Sequence, residues 1–113
     1  MGKWISMDNR IKKELVEISK LMDDKGFVNT FEGNLSIKKD TLLYITPSGK
    51  RKATLTQDMI AVLDENNNQI DGDFKPSSEL IKHTNTYKIR NSISAVIHAH
   101  TPFLTAHAIC NKL

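Results

Sequence analysis

From Asp8 to Lys25 the apolar residues Ile11, Leu15, Ile18, Leu21 and Met22 recur mostly three or four positions apart, and Gly26 follows. An α-helix places residues at that period on one face, and glycine is a frequent stop, so the pattern predicts an amphipathic helix over 8–25. Beyond it the period shortens. Leu35 to Lys38 and Leu42 to Thr46 read as two strands of a hairpin turned at Lys39-Asp40. Ile60 to Leu63 leads through the polar run Asp64-Glu65-Asn66-Asn67-Asn68 to Gln69-Ile70, a second hairpin by the same reasoning. After Pro76 a helical stretch runs to Arg90 with Leu80, His83, Thr84 and Tyr87 on one face. Ser94 to His100 is apolar and β-branched and predicts another strand, and Phe103 begins an apolar helix that runs to the end. The pattern therefore predicts helices flanking a mostly antiparallel sheet, in a single domain over 1–113 without repeats or an interdomain linker.

Composition narrows the setting. At 39% hydrophobic and 26% charged, the 113 residues fit a folded chain that buries roughly two-thirds of its extended surface. The net charge is +3, but the basic residues come in ones, twos and threes (Lys12-Lys13, Lys38-Lys39, Lys50-Arg51-Lys52) with no aromatic residues between them. That predicts a mildly basic solvated surface suited to attracting a small anion, and no nucleic-acid partner. No apolar run approaches the ~20 residues that span a bilayer and the N-terminus lacks a secretory pattern, so the expectation is a cytoplasmic protein with no membrane partner. A single cysteine, Cys110, in an apolar stretch reads as a buried thiol. The myristoylation pattern at Gly2 and Ser6 and the sequon Asn34-Leu35-Ser36 read as accidents in such a chain.

Four stretches have chemical potential. His98 and His100 are two apart, and in a strand both would point to one face, a spacing that suits joint coordination of a metal ion. Gly33-Asn34-Leu35-Ser36 enters a strand with a residue free of Cβ and a short amide, so donors can approach an anion closely. Thr46-Pro47-Ser48-Gly49 is a turn with two hydroxyls, and Ser77-Ser78-Glu79 opens a helix, where free N–H groups favour phosphate. Each also has a plain structural reading as a turn glycine, a turn proline or a helix cap. Asp64, Asn66 and Asn68 match the first three EF-hand ligand positions, but Gln69 and Lys75 stand where glycine and glutamate are needed, so calcium is not expected.

Taken in order, GNxS, TPSG, SSE and HxH resemble the class II aldolase/adducin family, and the resemblance runs from Asp8 to Cys110. It implies an α/β fold, a three-layer α/β/α sandwich on a mostly antiparallel sheet, commonly assembled as a homotetramer. It further implies that His98 and His100 ligate Zn2+, that Glu79 is the catalytic acid/base, and that Gly33, Asn34, Ser48, Gly49, Ser77 and Ser78 hold the phosphate of the substrate. The activity so implied is zinc-dependent retro-aldol cleavage of a ketose phosphate, as in fuculose-phosphate aldolase. Sugar-phosphate epimerases and dehydratases of the same family are alternatives, as are a non-catalytic adducin-like assembly domain and a degenerate anion-binding remnant. Family members draw a third zinc histidine from beyond the HxH segment, so the chain is expected to be the N-terminal part of a longer, apparently truncated domain. His83 is expected in a core or hydrogen-bonding role, and His107, five residues after Pro102, is not expected to reach the metal.

Overall fold

A computed structural model describes residues 9–25, 33–50, 52–90 and 94–98. Its elements are α1 (Asn9–Asp24), β1 (Asn34–Lys39), β2 (Leu42–Ile45), β3 (Ala61–Leu63), β4 (Gln69–Asp71), α2 (Leu80–Ile89) and β5 (Ala95–His98). The strands form one antiparallel sheet in the order β4-β3-β2-β1-β5. β1 and β2 form the hairpin predicted from sequence, closing at Lys39↔Leu42 with Asp40 at φ 57 in its turn. β5 returns from α2 to pair with β1, placing His98 opposite Asn34.

Alternation along the strands explains the layers, because successive side chains point to opposite faces. All four residues of β2 are buried. Leu42 and Tyr44 join Leu15 and Val16 of α1, Leu35, Leu55, Ile60 and Val62 in one apolar cluster. Leu43 and Ile45 join Ala61, Leu63, Tyr87 of α2 and Val96 in another. The sheet is thus covered by α1 on one face and α2 on the other, the three-layer α/β/α arrangement. Leu55 and Ile60, which also join the first cluster, each follow directly on a short 3-10 turn, Lys52–Thr54 and Gln57–Met59, that the sequence pattern did not announce.

Two lysines correct the expectation of a wholly solvated basic surface. Lys12 is buried on α1 and forms an ion pair with Asp71 of β4. Lys52 is 1% exposed. Burial pulls its ammonium below the ordinary lysine range, with Asp23 opposing the shift. Lys12 is part of α1, and the Lys52–Thr54 turn packs against the same helix.

The polar run at the second hairpin is self-contained. The Asp64 carboxylate accepts the N–H groups of Asn66 and Asn68, each at 2.9 Å, and Asn67 at φ 65 makes the tip. Those bonds hold the Asp64 carboxyl below its ordinary range. Among the described residues no helix is long and apolar enough to cross a membrane. The helix expected from Phe103, Cys110 and His107 lie outside the described residues.

Candidate functional site

Thr46 is the joint of the site. It follows the last residue of β2, is fully buried, and bonds in two directions. Its N–H donates to Leu35 O at 3.0 Å and its Oγ1 accepts the Leu35 N–H at 3.2 Å, which fixes it beside the start of β1. Its carbonyl accepts the Ser77 N–H at 2.9 Å, which fixes it beside the approach to α2. One residue on, Pro47 bridges Pro76, and the Ser48 N–H donates to Lys75 O at 3.0 Å. The segments Gly33-Asn34, Ser48-Gly49 and Ser77-Ser78, far apart in sequence, therefore meet at one place.

The donors at this junction differ in availability. Thr46 spends its hydroxyl internally, so only Ser48 of the TPSG turn presents an exposed one. Gly49 adopts φ 68 with open space where a Cβ would stand, and Gly33 adopts φ 87. The backbone N–H groups of Gly49 and Ser78 bond to no described residue. Ser77 Oγ accepts the Glu79 N–H at 3.1 Å and so caps α2 from two residues upstream. Glu79 stands at the N-cap with its Oε1 2.7 Å from Lys82 Nζ, an ion pair one turn along the helix.

Behind the junction, β1 and α2 share a buried polar network. Asn34 and Ser36 lie on the α2 side of β1, two residues apart, and His83 and Tyr87 lie on α2, four apart. His83 Nδ1 is 2.6 Å from Ser36 Oγ, and His83 Nε2 bonds Asn34 Oδ1. The Tyr87 hydroxyl is 2.8 Å from Ser36 Oγ and 3.1 Å from Ser36 O. Burial pushes the Tyr87 phenol up to about 12, so it remains a donor at neutral pH. His83 thus has the hydrogen-bonding role expected of it. Ser36 and Tyr87 had not been singled out as its partners. The signal for them was available in the matched spacings, i, i+2 on a strand and i, i+4 on a helix, each of which puts two polar groups on one face.

β5 carries the backbone of His98 to the register position opposite Asn34, so the histidine segment and the Gly33-Asn34 segment lie on adjacent strands. His100 lies outside the described residues, and the paired-histidine geometry with it. Among the described residues no cluster of three or more His, Cys, Asp or Glu side chains is placed to hold a metal ion.

Comparison with known proteins agrees with the fold. Residues 13–113 match the family described as Class II Aldolase and Adducin N-terminal domain. An L-fuculose phosphate aldolase of Methanococcus maripaludis is 39% identical over 99 residues, covering 88% of this chain and 54% of its own length. A 3-oxo-tetronate 4-phosphate decarboxylase of Haemophilus influenzae is 32% identical, covering 95% of this chain and 51% of its own. A solved L-fuculose 1-phosphate aldolase superposes with a TM-score of 0.80 at 35% identity, over 90% of this chain and 49% of that one. The chain spans about half the length of the curated relatives it matches. It belongs to the class II aldolase and adducin family, with residues 13–113 corresponding to the N-terminal domain that defines it.

Proposed function

We propose that the chain carries the substrate-anchoring and proton-transferring half of a metal-assisted lyase acting on a ketose phosphate. The observation that carries this reading is the hydrogen-bonded joint at Thr46, which gathers three donor-rich segments around the start of α2. Gly33, Asn34, Ser48, Gly49, Ser77 and Ser78 bind the phosphate through close-approach backbone N–H groups, hydroxyls and an amide, with the helix N-terminus adding its dipole. Glu79, the next residue after Ser78, moves the proton at the substrate's reacting carbon or hydroxyl. His98 and His100 offer neutral imidazole nitrogens, a donor set that suits Zn2+. The bound ion would supply Lewis-acid polarisation of the substrate's carbonyl and hydroxyl oxygens. Retro-aldol cleavage of a fuculose 1-phosphate-like substrate is the leading reaction, supported by the names of the aldolase relatives. A cytoplasmic homo-oligomer is the setting proposed for it.

The decarboxylase name of the Haemophilus relative keeps a second reading open, in which the same anchored phosphate serves a different bond cleavage. Zinc-loaded protein of the relatives' full length that carries this segment, assayed for release of dihydroxyacetone phosphate from fuculose 1-phosphate, separates the two. Turnover that Glu79→Gln lowers about a hundredfold or more supports the aldolase reading. No turnover on ketose phosphates, with turnover on a 3-oxo acid phosphate, overturns it in favour of decarboxylation.

A further inference from the structure

The network behind the junction has a polarity, and that polarity decides what the junction presents to an anion. Asn34, Ser36, His83 and Tyr87 are all buried, at 5%, 1%, 1% and 3% exposure, so their polar atoms need partners. A carboxamide is two-ended: its oxygen only accepts and its nitrogen only donates. With Asn34 Oδ1 at His83 Nε2, the ring must donate from Nε2. A neutral imidazole that donates from Nε2 accepts at Nδ1, so the Ser36 hydroxyl, 2.6 Å away, donates to it. With its own proton on Nδ1, Ser36 Oγ can only accept from the Tyr87 hydroxyl at 2.8 Å, and the single phenol proton is shared between Ser36 Oγ and Ser36 O at 3.1 Å. Every proton in the chain from Tyr87 to Asn34 points the same way. The two N–H donors of the Asn34 amide are left for another partner.

The opposite polarity is the informative alternative. If Nδ1 carried the proton, Nε2 would accept from the amide nitrogen, and the amide oxygen would be the end left for the junction. An oxygen there repels a phosphate, whereas an NH2 group binds it.

We propose that His83, oriented by Ser36 and Tyr87, is a positioning residue whose tautomer sets the Asn34 amide with its NH2 end toward the bound anion. This inference rests on the anion-binding reading of the junction. His83 touches neither substrate nor metal in it and acts only through Asn34.

The test uses the 113-residue chain labelled with 15N and titrated with inorganic phosphate. Long-range 1H–15N correlation of the neutral His83 ring reports the tautomer directly. The expected result is the Nε2–H form, together with phosphate-dependent shifts of the Asn34 side-chain NH2 and of the Gly49 and Ser78 amides. An Nδ1–H ring overturns the proposal by itself, whatever phosphate does. Phosphate that moves none of these amides sinks the anion reading, and the proposal with it. His83→Gln keeps a donor able to reach Asn34 Oδ1, and is expected to hold phosphate within about threefold of the parent chain, whereas His83→Leu weakens it about tenfold. Equal losses in both variants, with both folded, would show that the ring's role is packing and overturn the proposal.

Discussion

The Thr46 carbonyl accepts the N–H of Ser77 at 2.9 Å, joining the end of β2 to the turn that opens α2. The same residue's hydroxyl accepts the N–H of Leu35 at 3.2 Å, so one buried side chain and its backbone tie strand, turn and helix together. Thr46→Val keeps the shape of the side chain and removes the acceptor, leaving a buried donor unpaired. The expected loss is about 1–3 kcal/mol of stability, measured by urea denaturation, together with weaker phosphate binding. Thr46→Ser retains the hydroxyl and is expected to keep most of both.

Two buried titrating groups give the chain opposite pH signatures above neutrality. Tyr87 has a folded pKa of about 12 against 10.0 for an ordinary tyrosine, so the unfolded chain loses that proton first. Its contribution is present in full below pH 10.0 and is lost as pH rises toward 12, about 2–3 kcal/mol across the window. Lys52 has a folded pKa below 10.5, so the unfolded chain holds that proton longer and stability rises with pH between the two values. In stability-against-pH curves, Tyr87→Phe is expected to remove the fall. Lys52→Met is expected to stabilise the chain at pH 7 and to lose that advantage toward pH 10.5.

Two glycines with positive φ separate conformational strain from steric collision. At Gly49 (φ 68) a Cβ meets nothing, so Gly49→Ala carries only the left-handed penalty of about 1–2 kcal/mol. At Gly72 (φ 97) a Cβ collides with the Ile60 carbonyl oxygen and comes within 2.9 Å of Ala61 Cα, both backbone atoms that cannot swing away. Gly72→Ala is expected to destabilise the chain by at least twice as much as Gly49→Ala. Thermal unfolding of the two variants side by side checks the order.

The ion pair between Lys12 and Asp71 joins α1 to the edge strand β4. Lys12 holds the Asp71 carboxyl below its ordinary range of about 3.8, so the pair stabilises above that pH and is lost as pH falls through the lower folded value. Asp71 is partly solvated, which discounts the pair. Asp71→Asn is expected to cost about 1–2 kcal/mol at pH 7 by stranding the buried ammonium, and progressively less as pH falls below 3.8. Chemical denaturation of both proteins at pH 7 and at a series of acid pH values checks the cost and its decline.

The elements were legible wherever one period dominated. Ile11, Leu15, Ile18 and Met22 announced α1, and the run from Leu42 to Thr46 announced β2. The meeting of Gly33-Asn34, Ser48-Gly49 and Ser77-Ser78 was expected from the order of motifs, and the backbone bonds at Thr46 bring those segments together. Burial of Lys12 and Lys52 was not legible, because a charged residue reads as solvated until a partner or an aliphatic groove is located in space. The pairing of Ser36 with His83 and Tyr87 was hidden for the same reason, since it depends on α2 crossing over β1. Nor could local pattern place β5 beside β1, a pairing set by the whole intervening chain.

That last pairing also orders events during folding. The hairpins β1–β2 and β3–β4 close over short loops and are available as soon as their residues are made. β5 reaches β1 only after both hairpins and α2 have been synthesised, and closing that long loop is the slow step of such a topology. Asn34 therefore waits for its strand neighbour, and its histidine partner arrives on the helix just before. On a ribosome the two hairpins form first, and the β1–β5 edge of the sheet is the last part of the described chain to take shape.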